Sequence, residues 1–307
     1  MNIGIVIPVF NRWAQTQRCL ESLRASQCQE FSVYVVDHGS TDGTACHLNE
    51  TFPEYTRLAG EPSWWWTAAT NAGIRHALRE GATYVMLLNN DCVVEPETIG
   101  RVLEQVRRSS RLIAAPVQVS LQTGIAVPYK KRTALTLGFP TLTDLCPLPV
   151  TQAGWEPVRL LMGGRGVVIP AAVFTEIGLL DDEHLPHYAS DHDFYLRARK
   201  AGWTLGVVSE AFLRVDDSTT TLASRAWELS LRRFLETLRE RRSHRNLRDL
   251  QALFRKHYPV RRLAGVGVAL NLARYVLIFV MRRPVYLVVK NVRVIRHRMR
   301  RAVQRKG

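Results

Sequence analysis

Apolar and polar positions in the first ninety residues switch between a strand-like and a helix-like period. Ile3–Ile7 is a short apolar run ended by Pro8 and the turn-like pair Asn11-Arg12. From Trp13 to Ser26 the small or apolar side chains fall at Ala14, Cys19, Leu20 and Leu23 with polar residues between, which predicts an amphipathic helix. Phe31–Val36 is a second β-branched run, leading to Asp37 and the loop His38-Gly39-Ser40-Thr41-Asp42-Gly43. Thr70–Glu80 reads as a helix closed by Gly81. Tyr84–Leu88 is a third buried run and stops at Asn89-Asn90-Asp91. Strands alternating with helices predict an α/β fold with a mostly parallel sheet and right-handed crossovers. Ligands of such sheets bind beyond the carboxyl ends of the strands. The polar clusters Phe10-Asn11, Asp37–Asp42 and Asn89–Asp91 follow those ends, so one rim should carry all three.

Beyond this point the pattern weakens. Residues 116–160 read only as irregular. Met162–Pro170 is a Gly-rich turn into a β-run, Ala171–Ile177 a helix, and Asp191–Ala201 a helix stopped by Gly202. Trp227–Arg242 places Leu229, Leu231, Phe234, Leu235 and Leu238 among arginines and predicts one amphipathic helix. Leu263–Met281 is apolar apart from Asn271 and Arg274, and Arg282-Arg283-Pro284 should end it. A spanning helix needs about 20 apolar residues. A central arginine costs about 2.5–3.5 kcal/mol on insertion scales, so this segment is borderline for crossing a bilayer.

Charge divides the chain of 307 residues, whose net charge is +15. From Arg225 to Gly307 there are 23 Lys/Arg and 4 Asp/Glu, while the first 224 residues hold 19 and 23. The expected organisation is a mildly acidic domain over 1–224 and a basic, partly amphipathic helical extension over 225–307. Arginines beside an apolar helix suit an anionic membrane surface. A helical cap with a solvated face remains the bland alternative, and nucleic-acid binding lacks aromatic interleaving and any recognised motif. Composition excludes disorder, collagen and a polytopic membrane protein. Cys19, Cys28, Cys46, Cys92 and Cys146 are odd in number and contain no CxxC, which points to a reducing compartment. No basic n-region precedes Ile3, so no signal peptide is expected. The expected location is the cytoplasm, peripheral on the inner face of the cell membrane.

Several residues offer chemistry. A lone carboxylate such as Asp91 at the end of a buried strand needs a partner or a metal, and Mg²⁺ or Mn²⁺ uses one or two carboxylates plus substrate phosphates. Otherwise Asp91 caps a helix beginning near Pro96. The Asp37–Gly43 loop is either a tight turn or a nucleotide grip. Asp191 and Asp193 flank His192 at a predicted helix start, where acids suit the dipole and where a general base could stand. His184, His187 and His192 match no common zinc spacing. Trp64-Trp65-Trp66 should place one indole in a cleft or clamp the fold.

Taken together, Val6-Ile7-Pro8-Val9-Phe10-Asn11-Arg12, Val36–Thr44, Asn71-Ala72-Gly73-Ile74, Leu87–Asp91 and Gly178–Glu183 running to Tyr188–Asp193 resemble family 2 glycosyltransferases of the GT-A fold, particularly bacterial rhamnosyltransferase-like members. The motifs cover about residues 3–217. The resemblance implies a UDP- or dTDP-sugar donor contacted by Pro8, Phe10, Asn11, Asp37, Gly39, Ser40, Asp42, Asn71 and Asn90. It implies a divalent cation, Mg²⁺ or Mn²⁺, on Asp91, and Asp191 as the base. It further implies inverting, single-displacement transfer to a glycan or lipid-linked hydroxyl in cell-surface polysaccharide synthesis. Three positions depart from the family. Asn89 replaces the first acid of the DxD motif, Ser190 the Glu beside the base, and Val215-Asp216-Asp217-Ser218 lacks a histidine that many relatives carry.

The alternatives are a catalytically impaired relative, a nucleotidyltransferase or a non-enzymatic binder. A nucleotidyltransferase usually follows its first strand with a Gly-rich loop and a Lys, which Ile7–Asn11 lacks. A membrane or nucleic-acid binder would leave the three acidic or amide clusters unexplained.

Overall fold

The computed structural model describes residues 2–129, 131–143, 154–216 and 226–304, with side chains through Lys290. Its centre is a nine-stranded sheet. β1 (Ile3–Val9), β2 (Phe31–Asp37), β3 (Thr56–Ala59) and β4 (Tyr84–Leu88) pair in parallel in the order β3-β2-β1-β4. β10 (Arg165–Pro170) then enters antiparallel between β4 and β6 (Leu112–Ser120). The long β11 (Thr204–Val215) runs parallel to β6 and carries β5 (Cys92–Val94) and β9 (Trp155–Val158) antiparallel on its other edge. Because β2, β1 and β4 are adjacent and parallel, their carboxyl ends share one rim. The three polar clusters are on it, as the alternation predicts.

Side-chain alternation explains the layers. Ile3, Ile5, Ile7 and Val9 face a core shared with α1 (Trp13–Arg24) and α4 (Thr98–Arg108). Val6 faces a second core with α3 (Trp66–Arg79), α5 (Ala171–Ile177) and α6 (Ser190–Lys200). Gly73 lets α3 approach β1, since a Cβ there would lie 2.3 Å from Val6 Cγ1. α2 (Thr44–Thr51) begins directly after the Asp37–Gly43 loop.

Four expectations about elements need correction. The 116–160 stretch is not wholly irregular: it holds the end of β6, the hairpin β7 (Lys131–Ala134) and β8 (Phe139–Thr143), and β9. Isolated short strands carry too little periodicity to be read from sequence. α3 starts at Trp66 rather than Thr70, so the third tryptophan is helical. Trp227–Arg242 is not one helix but a single 3₁₀ turn over Ala226–Glu228 and then α7 (Leu231–Thr237), whose start is set by the Ser230 side chain accepting from the Arg233 amide. Lastly, Arg282-Arg283-Pro284 does not end the apolar helix, because α9 (Ala264–Gln304) runs through Pro284. A proline removes one hydrogen bond from a helix, which flanking turns can bridge.

α8 (Leu247–His257) joins the C-terminal region to the body. Its His257 Nε2 lies 2.8 Å from Asp193 Oδ1 of α6. Leu250 and Phe254 of α8 pack with Leu135 and Ala264. The domain boundary expected at 224, with Asp217 and Ser218, and Cys146 lie outside the described residues. Cys19, Cys28, Cys46 and Cys92 are free thiols.

Candidate active site

The rim is built first by backbone strain. Asn11 and Arg12 both take left-handed φ, 59° and 67°, a cost that non-glycine residues accumulate mostly at functional turns. The turn aims Asn11 at the β2 loop. Its amide donates to Ser40 Oγ at 2.8 Å, and its Oδ1 accepts the Thr41 amide at 2.7 Å. Asp37 is 3% exposed. Its Oδ1 accepts the Ser40 amide at 3.0 Å and its Oδ2 pairs with Arg57 at 3.2 Å. Gly39 takes φ +98° with Pro62 against it, so no side chain fits there. Phe10 is exposed and stacks on His38 at 5.3 Å.

The predicted donor contacts differ in how they sit on this rim. Pro8 is a buried strand residue of β1. Asp42 accepts the Trp13 amide at 3.0 Å on one oxygen and the Thr44 amide at 3.2 Å on the other, starting both α1 and α2. Burial works against the charge, yet the bonds from Thr44 and Trp13 hold the Asp42 carboxyl below its usual range. Asn71 is 1% exposed, and both ends of its amide bind the Leu180 backbone, at 2.8 and 3.1 Å. Asn90 donates to Thr16 Oγ1 at 3.0 Å. Pro8 and Asn71 are therefore buried in the frame behind the rim, whereas Phe10, Asn11, Gly39, Ser40 and the exposed Asp42 lie on it. Motif matching cannot separate these roles, because framing and contacting residues are neighbours in sequence.

Asp91 is 15% exposed in its side chain. It caps no helix, since α4 begins at Thr98. Arg165 Nη2 lies 3.8 Å from Asp91 Oδ2, and Cys92 Sγ lies 3.5 Å from Oδ1. Asn89 Oδ1 accepts the Trp66 indole N–H at 2.9 Å, so the residue replacing the first DxD acid holds a tryptophan in place. The Asp216 amide donates to the Asp91 carbonyl at 2.9 Å, but its carboxylate turns to Gln15, Arg18 and Gln122. Among the described residues no three His, Cys, Asp or Glu side chains converge as a metal cage. Asp91 fits a divalent cation as one carboxylate whose other ligands are substrate phosphates and water, the usual Mg²⁺ arrangement.

α6 starts from Ala189 in a left-handed conformation, φ 65°. The Gly163 amide donates to Asp191 Oδ2 at 2.6 Å, and Tyr195 OH donates to the Gly163 carbonyl at 3.1 Å. Asp191 is thus gripped on one oxygen and 15% exposed. Asp193 differs sharply: it is fully buried, with Arg197 Nε at 2.9 Å and His257 at 2.8 Å. Burial pushes its carboxyl up, but His257, Arg197 and Lys256 outweigh that and hold it at about 2. Arg197 in turn donates to the Leu179 carbonyl at 2.7 Å. Ser190 is buried, its hydroxyl 2.8 Å from Thr67 Oγ1, so the position where the family has Glu points into the fold.

The turn at Gly163-Gly164 is the hinge of the site. Gly163 holds Asp191, and two residues later Arg165 faces Asp91. Antiparallel pairing sets Arg165 opposite Leu88, next to the Asn89–Asp91 cluster. Lys131 joins the same region; burial lowers its ammonium, Arg165 adds to this, and Asp191 opposes it. From the far end of the chain, Arg242 places its guanidinium 5.9 Å from the Phe10 ring and 5.7 Å from Trp65. Trp65 is the indole that meets Arg242 and His187. His187 lies 5.6 Å from it and is lowered to about 4 by burial, with Arg242 and His38 acting the same way. Arg165, Lys131 and Arg242 carried no signal of this role in the sequence, and His187 was weighed there only for zinc. Only the Gly-Gly turn before Arg165 gave any local signal.

The family model "Glycosyl transferase family 2" matches residues 4–150. An uncharacterized glycosyltransferase of Rickettsia felis is 23% identical over 202 residues, covering 64% of this chain and 31% of that protein. The chain thus spans about a third of that curated relative's length. S. aureus TarS 1–349 superposes with a TM-score of 0.56 at 14% identity, covering 92% of each chain. GalNAc-T7, solved with UDP, GalNAc and Mn²⁺, superposes with a TM-score of 0.60 at 12% identity, covering 87% of this chain and 55% of its own. Residues 4–150 thus match the glycosyl transferase family 2 model, in a chain whose fold is the GT-A fold of these structural neighbours.

Proposed function

We propose that the protein is an inverting glycosyltransferase that moves a hexosyl group from a nucleotide-sugar donor to a hydroxyl of a glycan or lipid-linked acceptor. The observation that carries this is the Gly163–Arg165 turn, which holds a partly exposed carboxylate, Asp191, on one side and presents a cation to Asp91 on the other. Structural neighbours solved with UDP, TarS and GalNAc-T7, support a UDP-sugar as donor. The nucleoside rests against Phe10 and the loop ordered by Asn11, Asp37 and Ser40. Arg242 approaches the same place from above.

Asp191 Oδ accepts the acceptor hydroxyl proton as its oxygen forms a bond to the anomeric carbon. The bond from that carbon to the diphosphate breaks on the opposite face, and the nucleoside diphosphate leaves. The Gly163 amide fixes one oxygen of Asp191 and leaves the other to take the proton, which is worth about 10²–10⁴-fold. Arg165 and Lys131 supply positive charge beside the departing diphosphate and the acceptor. A divalent cation, when held by Asp91, would supply Lewis-acid stabilisation of the leaving oxygens. The basic C-terminal region supports association with an anionic membrane surface, on the cytoplasmic face, where surface polysaccharide precursors are lipid-linked.

A donor screen scored by nucleoside diphosphate release tests the reading. Release from one donor by the wild type and its loss in Asp191→Asn is the expected result. Full release by Asp191→Asn overturns the assignment of the base.

A further inference from the structure

α9 is inside out for a water-exposed helix. One stripe, Ala264, Gly267, Asn271 and Phe279, is buried at helical spacing. The opposite stripe should be polar. Instead Val266, Leu270, Leu277, Val280, Met281, Val285 and Val288 are 44–65% exposed. A neighbouring helix, α7, stacks Phe234 on Phe279 at 4.7 Å and also leaves Leu231 and Leu235 exposed.

The geometry points to α9 as an in-plane anchor, lying along an anionic bilayer surface with this outer stripe in the acyl boundary, rather than as a membrane span. This deepens the membrane-associated reading above and rests on it. From Ala264 to Arg283 the inner stripe is fastened to the rest of the fold. Asn271 Nδ2 donates to the Gly138 carbonyl at 2.7 Å. Gly138 comes so close that a Cβ there would lie 2.5 Å from the Asn271 amide. Further along, Arg274 stacks over Phe139 at 4.3 Å, Arg282 over Trp227 at 4.8 Å, and Arg283 donates to the Leu229 carbonyl. From Ala264 to Arg283 these attachments extend over about 30 Å of helix, which equals the hydrocarbon thickness of a bilayer, about 30 Å. A spanning α9 would drag Arg274, Asn271 and the β7–β8 hairpin into the hydrocarbon. An in-plane α9 keeps them on the water side.

Charge and side-chain type favour lipid over a protein partner. Residues 263–307 contain 11 Lys/Arg and no Asp or Glu. Two copies meeting through this face would bring like charges together. Apart from Met281 the outer stripe is aliphatic, without the Trp, Tyr or Phe anchors that protein interfaces favour. Exposed Arg261, Arg262, Arg282 and Lys290 mark the ends and edges of the stripe, as an interfacial helix on anionic head groups requires.

The test uses the full chain with vesicles of phosphatidylglycerol and phosphatidylcholine. In a Cys28→Ser/Cys46→Ser/Cys146→Ser background, spin labels at Val266→Cys, Leu277→Cys and Val288→Cys should all report one shallow depth, about 5–10 Å. Leu277→Asp/Val280→Asp should weaken vesicle partitioning at least about tenfold while circular dichroism stays unchanged, because both side chains point away from the fold. A depth gradient, with one label reached by an impermeant thiol reagent from the opposite side, overturns the in-plane geometry and leaves membrane association standing. Failure of the wild type to co-sediment overturns both. Self-association abolished by the double substitution, without vesicle binding, makes the face a protein interface and also overturns the inference. Nucleoside diphosphate release with a soluble acceptor, measured in parallel, reports on the transfer reaction separately.

Discussion

The amide of Gly163 donates to Asp191 Oδ2 at 2.6 Å. A backbone donor cannot swing away, so it holds this oxygen in place and leaves Oδ1 as the one to serve as base in the proposed reaction. Asp191→Asn preserves this shape and removes the basicity. Turnover should fall by about 10²–10⁴-fold, with donor affinity nearly unchanged, in steady-state assays of nucleoside diphosphate release.

Asp193→Asn should behave differently. Its carboxylate is buried and paired with Arg197 and His257, and removing one partner of a buried pair costs about 3–5 kcal/mol. Thermal or urea unfolding should show this loss, while the turnover of the folded fraction drops far less than in Asp191→Asn. The reverse order would place the base at Asp193.

Acid should unfold the protein through the same residue. Asp193 is held at about 2 against its ordinary 3.8. A depressed carboxyl contributes stability that is full above the unfolded value and is lost as pH falls from about 4 to about 2. The amount is on the order of 2 kcal/mol. Urea midpoints measured across this window should fall in the wild type and stay flatter in Asp193→Asn.

Asp91→Ala should remove the Mn²⁺-dependent part of UDP binding in calorimetry and leave the fold intact, since the side chain contributes no core packing. Arg165→Ala should weaken the part that persists in chelator. Equal UDP affinity of wild type and Asp91→Ala in Mn²⁺ would dismiss Asp91 as the cation's ligand.

Arg242 reaches the Phe10–Trp65 edge from the C-terminal region. Arg242→Ala should weaken nucleotide binding by about tenfold, within the range of a desolvated cation–π contact, without lowering the melting temperature. Arg242→Lys should rescue poorly, because only a planar guanidinium stacks.

Asn71 offers the contrast. Its amide bridges the Leu180 backbone twice inside the fold. Asn71→Ala should therefore destabilise the protein by about 1–3 kcal/mol per unsatisfied group. Donor affinity of the folded protein, read by calorimetry, should hardly change.

The alternation of short β-branched runs with amphipathic segments determined the α/β fold of the first ninety residues. It also determined that Phe10-Asn11, Asp37–Asp42 and Asn89–Asp91 share a rim, because parallel adjacent strands put their carboxyl ends together whatever their loops contain. The start of α6 was legible for the same local reason, since Asp191 and Asp193 precede a helical run closed by Gly202. Their division of labour was not. Only the approach of α8 buries Asp193 on His257, and only the Gly163 turn fixes one oxygen of the partly exposed Asp191. Arg165 meets Asp91 through antiparallel pairing of β10 with β4, far apart in sequence, and Arg242 meets Phe10 across most of the chain. Such contacts follow from packing rather than from neighbouring residues, so no local pattern encodes them. The same holds for α9. Its apolar composition was plain in the sequence, but the direction in which that surface faces was decided by the Gly138–Asn271 contact that turns the other stripe inward.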